Sequence, residues 1–201
     1  NGVEPITGLQ EVIPDVWALT NAKVFISPNK KIENAIIILR DGYIEKVGVD
    51  IKLPTDASVI DLSGLTVYPG FIESWYEVEY SDTTDRHNHH WNSLVFPESN
   101  PVYSKKIKNK KINELHEIGF TSIHMVYKEG IFRGNSGIRL LDDAQTTLKS
   151  NVSQIIGFDK NGWGSDKYPG SLLGTIALIR QTIYDAKWYG RTKEILDYNQ
   201  A

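Results

Sequence analysis

From Val16 onward the chain alternates short runs of β-branched and aromatic residues with turn residues, the pattern of a β-rich unit. Val16 to Ile26 (VWALTNAKVFI) predicts one strand, irregular at Thr20-Asn21, and Asn34 to Arg40 (NAIIILR) predicts the next. Asp41-Gly42 is a two-residue turn of the kind that closes a hairpin, here onto Tyr43 to Val47. Asp56 to Leu62 and Leu65 to Tyr68 add two strands around a Ser63-Gly64 turn, which makes residues 16–67 a small β-sandwich. Residues 1–15, broken by Gly and Pro, are expected as an arm laid on its surface.

The next stretch, Leu65 to Tyr80 (LTVYPGFIESWYEVEY), predicts a buried strand through Val67, Tyr68, Phe71 and Ile72, bent at Pro69-Gly70 and emptying into a pocket. Residues 81–101 are polar and end in Pro97 and Pro101, which predicts a long loop. A helix capped by Ser104 is expected to run to Ile118, with Ile112, Leu115 and Ile118 at helical spacing and Gly119 ending it. Phe120 to Tyr127 is then a strand, so that strand, helix and strand form a parallel crossover. Glu129 to Phe158 carries Gly130, Gly134, Gly137 and Gly157 among brief apolar pieces, and about 129–168 is expected as a loop-rich insertion. Pro169-Gly170-Ser171 opens the clearest helix, with Leu172, Leu173, Ile176, Ile179, Arg180, Ile183, Tyr184 and Trp188 as a broad buried stripe up to Gly190, and Thr192 starting another.

Composition narrows the functions. A chain that is 40% hydrophobic and 23% charged can bury a real core. Its net charge of -3 gives no electrostatic reason to expect nucleic acid or an anionic membrane as partner. No apolar run reaches the length of about 20 residues that spans a bilayer. Without cysteine, disulfides, thiolate metal sites and thiol nucleophiles are excluded together, leaving oxygen and imidazole as ligands. Asn1 is neither methionine nor the start of an apolar leader, which fits a trimmed chain or a mature exported (periplasmic) protein; a cytoplasmic location is also compatible with the composition, and the exported one is preferred.

Several of these segments, in order, resemble the amidohydrolase superfamily, the metal-dependent hydrolases of the imidazolonepropionase and dihydroorotase kind. Asn21, Ala22 and Phe25, the hairpin residues Asp41, Gly42 and Ile44, and Val59-Ile60-Asp61-Leu62 with Gly64 match its opening sandwich, and Gly119-Phe120-Thr121-Ser122 matches the entry to its second barrel strand. Pro69-Gly70-Phe71-Ile72-Glu73 matches its first barrel strand, where the family carries a metal-binding His-x-His, and here Trp75 and Glu77 stand at those two positions. The resemblance implies an α/β chain: a β-sandwich, then the first units of an incomplete TIM-type (β/α) barrel over residues 68–201, since a whole barrel takes about 250 residues. It implies an N-terminal segment of a protein that hydrolyses amide-type C–N bonds with zinc or another divalent metal. With the first ligands replaced, the segment itself is expected to bind no metal there and to be inactive, or to serve as a pseudoenzyme binding module. Its expected partners are the remainder of a longer protein, a second chain or another copy of itself.

Other candidates are weighed against plainer roles. His87, His89 and His90, with Asp82 and Asp85, form a His-x-His in the loop and offer a relocated metal site, although no strand pattern holds those rings on one face. Glu73, Glu77, Glu79, Asp82 and Asp85 could act as acid or base groups but also suit a solvated rim. His124, between Ile123 and Met125, is expected to be satisfied by hydrogen bonds, and His116 and the lysines from Lys105 to Lys111 to be solvated. Arg133-Gly134-Asn135-Ser136-Gly137 could bind an anion through backbone N–H groups, but a tight turn is the expected form. No Gly-x-Ser-x-Gly nucleophile elbow is present.

Overall fold

The computed structural model describes residues 15–80, 90–104, 106–158 and 168–199, and divides between Pro69 and Gly70 into two compact units. Apart from Asp15 the expected arm lies outside the described residues, as do Asp82, Asp85, His87 and His89.

The first unit is one five-stranded sheet. Its strands are β1 (Val16–Ser27), β2 (Lys30–Arg40), β3 (Tyr43–Gly48), β4 (Ser58–Asp61) and β5 (Thr66–Val67), in the order β3-β2-β1-β4 with β5 also paired to β1. β2 is antiparallel to β1, whereas β4 and β5 both run parallel to it. The irregularity at Thr20-Asn21 is a register slip between Leu19 and Ala22, with Asn21 at φ 59°. A one-residue slip exchanges the faces that later side chains meet. Val16 and Ala18 therefore pack with Ile38 in one apolar cluster, while Leu19, Ala22 and Val24 join Ala35 and Ile37 in another.

Asp61 ties the end of β4 to that slip, accepting hydrogen bonds from Asn21 Nδ2 at 2.9 Å and from the Ser63 hydroxyl at 2.7 Å. These bonds, the Ser63 one foremost, hold its carboxyl below the usual Asp range. The Asp41-Gly42 turn joins Arg40 to Tyr43 with both residues at positive φ (51° and 78°), the backbone twist a two-residue hairpin needs. β2 begins four residues earlier than its apolar run, because Ser27 pairs with Lys30 and the exposed start is charged, with Glu33 between Lys23 and Lys31.

The second unit comprises β6 (Phe71–Val78), α1 (Pro101–Ser104), α2 (Asn109–Glu117), β7 (Phe120–Tyr127), β8 (Phe132–Asn135), β9 (Gly137–Leu140), β10 (Thr147–Lys149), β11 (Gln154–Ile156) and α3 (Leu172–Asn199). β6 and β7 are parallel with α2 between them in sequence, as the residue pattern predicts. Ile112 and Leu115 of α2 close a core with Ile123 and Met125 of β7, against which Tyr76 and Val78 pack. Gly119 ends the helix at φ 89°. On its other side β7 pairs with β9, which is antiparallel, so among the described residues the parallel order stops after one crossover.

Four expectations are corrected here. β6 is an edge strand of the order β10-β9-β7-β6, and the residues expected to be buried lie open, with Phe71 62% and Ile72 59% exposed; in the first unit Tyr68 is 61% exposed. Burial requires a layer on each face, and the described residues do not supply one to these side chains. The helix expected from Ser104 is broken at 106–108, because the backbone of Ile107 is held by a side chain: Ile107 N–H donates to Gln145 Oε1 at 2.8 Å and Gln145 Nε2 donates to Ile107 O at 2.7 Å. Residues 132–135 are a strand where a tight turn was expected over 133–137, while the apolar piece that follows it lies in the brief strand 137–140. Finally α3 continues through Gly190, which takes no left-handed conformation, and its stripe is largely open. Thr175 and Leu178 are buried, Leu178 packing with Val95, Ile131 and Phe132, whereas Leu173 is 79% and Trp188 61% exposed.

Candidate functional site

The C-terminal half of β6 gathers the polar side chains that the sequence singled out. An extra residue sits in β6 opposite β7, where Glu73 pairs with Ile123 and Tyr76 with Met125. This bulge at Ser74-Trp75 leaves the Ser74 carbonyl turned toward β7, where His124 Nδ1 lies 2.9 Å away. Trp75 and Glu77, two apart, share a face: the indole Nε1–H donates to Glu77 Oε1 at 3.1 Å. The backbone N–H of Trp75 donates to Glu73 Oε1, also at 3.1 Å.

Arg133 in β8 completes the group. Its Nη1 lies 3.8 Å from Glu77 Oε1, and its Nε–H donates to Gly130 O at 3.1 Å. The guanidinium lies against Gly157, where a Cβ would meet Nη2 at 2.5 Å, so the absence of a side chain there makes room for it. Tyr80, stacked on Tyr127 with ring centroids 3.8 Å apart, donates its hydroxyl to the Arg133 carbonyl. An indole, a carboxylate and a nearly buried guanidinium are thus held together at the end of β6.

Beside them stands a second hydrogen-bonded group. His124 Nε2 lies 2.7 Å from Ser136 Oγ, which is 2.9 Å from Ser153 Oγ and accepts the Ser153 N–H at 3.2 Å. A carbonyl can only accept, so the Nδ1 facing Ser74 carries the proton and in the neutral ring Nε2 accepts from Ser136. Ser136 is fully buried, which keeps this hydroxyl from an external substrate.

Arg133 and Ser136 were read from sequence only as members of a Gly-rich segment. The signal for them was an arginine and a serine between the apolar pairs Ile131-Phe132 and Ile138 with Leu140, in IFRGNSGIRL. That segment does not form an anion nest: the N–H groups of Asn135 and Ser136 donate to the carbonyls of Ser99 and Ser153. On the α2 side of β6 a shallow cleft of about 290 Å³ is lined by Tyr76, Glu79, Lys106, Lys108 and Lys111. His90 Nδ1 accepts the Asn92 N–H at 3.1 Å in a local turn, and His116 is exposed. Among the described residues no three His, Asp or Glu side chains converge as a metal-binding group. No described helix is long and apolar enough to cross a membrane.

With this geometry in place, the fold can be compared with solved proteins. An amidohydrolase from Thermotoga maritima MSB8 superposes with a TM-score of 0.70 over 92% of this chain at 18% identity, so the chain has an amidohydrolase-like fold. The chain spans 51% of that protein's length. A prolidase complexed with N-methylphosphonate-L-proline matches 55% of the chain and 25% of its own at 19% identity, with a TM-score of 0.32. No family model and no curated protein matches the sequence.

Proposed function

We propose that this chain is the N-terminal part of an amidohydrolase-fold protein in which the first metal-binding strand has lost its chemistry and kept its place as scaffold. The observation that carries the reading is the Trp75–Glu77–Arg133 group. Indole nitrogen has no lone pair to offer a metal, and the one carboxylate already accepts the Trp75 N–H and faces a guanidinium. A hydrolytic zinc site draws on three protein ligands. The residues at the end of β6 therefore do not fit the family's metal.

On this reading residues 68–201 are a partial (β/α) barrel with an insertion near 129–168. Hydrolysis of amide-type C–N bonds, if the whole protein performs it, rests on residues beyond this segment. The match to half of a longer amidohydrolase supports that division. Purified protein incubated with a panel of amides and lactams plus zinc or manganese is expected to give no turnover above buffer. Metal-dependent hydrolysis of any panel member, lost on chelation, refutes the reading.

A further inference from the structure

We propose that Arg133 is a built-in cation that excludes a metal ion from the end of β6, so that restoring imidazoles at 75 and 77 does not by itself restore metal binding. The inference rests on the scaffold reading above and adds a cause within the chain. The guanidinium is anchored independently of Glu77: its Nε–H is held by Gly130 O, its flank fills the space that Gly157 leaves open, and its side chain is only 10% exposed. It therefore stays when the carboxylate is removed. An ion held by side chains at 75 and 77 would lie within a few ångströms of Nη1, given that Nη1 is 3.8 Å from Glu77 Oε1. Like charges that close, on a group so little hydrated, weaken binding by about a hundredfold.

The glycine at 157 and the arginine at 133 form a matched pair, since a side chain at 157 would expel the guanidinium. Trp75 then follows: beside a fixed cation, a residue that donates to Glu77 and needs no ion is the compatible neighbour.

Copper(II) is the probe, because it is the divalent ion that imidazole holds most firmly and does not require the ligands of later strands. Chains carrying Trp75→His and Glu77→His, alone and combined with Arg133→Met, Arg133→Gln or Arg133→Lys, are titrated by calorimetry. Far-UV circular dichroism checks that each is folded. Arg133→Gln keeps a donor toward Gly130 O and serves should the Met variant not fold. The His pair alone is expected to bind weakly, the Met or Gln variant about a hundredfold more tightly, and the Lys variant as weakly as the His pair alone. Equal affinity with and without Arg133 overturns the proposal. So does no binding in any variant, which would mean that the two positions cannot share an ion and that Arg133 is not what keeps one out. Either failure leaves the scaffold reading standing, since that reading is judged by hydrolysis in the unaltered chain.

Discussion

Ser136→Ala is the perturbation whose cost follows most directly from the structure. The Ser136 hydroxyl is fully buried and reaches His124 Nε2 at 2.7 Å, Ser153 Oγ at 2.9 Å and the Ser153 N–H at 3.2 Å. A methyl group there leaves the His124 acceptor and the Ser153 donor without a partner, while the backbone bonds Ser136 N–H to Ser153 O and Val152 N–H to Ser136 O remain. At about 1 kcal/mol for each bond lost, and more where the orphaned group cannot reach water, the expected loss is about 2–3 kcal/mol. That is a large part of a typical domain stability of about 5–15 kcal/mol. Urea unfolding followed by far-UV circular dichroism measures it. Nitrogen-15 spectra of the imidazole should report Nδ1–H for His124 in both the parent chain and the variant, because the Ser74 carbonyl that fixes it is untouched, with the Nε2 resonance shifted where its Ser136 partner is lost. A stability change below about 0.5 kcal/mol, or an Nε2–H tautomer in the parent chain, would refute the hydrogen-bond assignment.

Four further outcomes are expected. Gly134→Ala should destabilise the second unit by about 3 kcal/mol or more in urea unfolding, because φ is 89° there and an added Cβ would strike the Ser99 backbone. Thr146→Val should cost about 1 kcal/mol near neutral pH and nothing in strong acid. The Thr146 hydroxyl is the foremost cause holding the Asp142 carboxyl below its usual range, so the stability it provides is present above the unfolded Asp value of about 3.9 and vanishes as pH falls through the lower folded value. Light scattering should give a mass above the 22.7 kDa monomer, reduced by Leu173→Glu with Trp188→Glu on the open side of α3; a monomer at all concentrations sinks that expectation. Metal analysis should find no stoichiometric zinc in the purified chain, and the same in His87→Ala with His89→Ala; zinc present in the parent and lost in the variant would place a metal site in that loop.

How far the sequence could be read depended on whether a feature was local. The Asp41-Gly42 hairpin, the slip at Thr20-Asn21 and the Gly119 helix end are set by residues adjacent in the chain, and all three are seen. The capture of Ile107 by Gln145, which cuts a predicted helix short, comes from 38 residues away and leaves no periodic trace. Burial was over-read for β6 and α3 for a related reason: apolar spacing shows which face wants cover, not whether cover is supplied. At the candidate site Trp75 and Glu77 were legible from their place after Pro69-Gly70. Their partner Arg133 was not, because it arrives from another strand 56 residues beyond Glu77.

In the first unit β1 is the strand to which β2, β4 and β5 all bond, and its partners in β5 are Thr66 and Val67. As the chain leaves the ribosome, the β1–β2–β3 meander can form once Gly48 is made, but the parallel pairings join residues about forty apart and must wait until Asp61 and then Val67 have followed. Until then the flank of β1 is an unpaired template, which makes that interval the one in which a nascent chain is most exposed to pairing with the wrong neighbour.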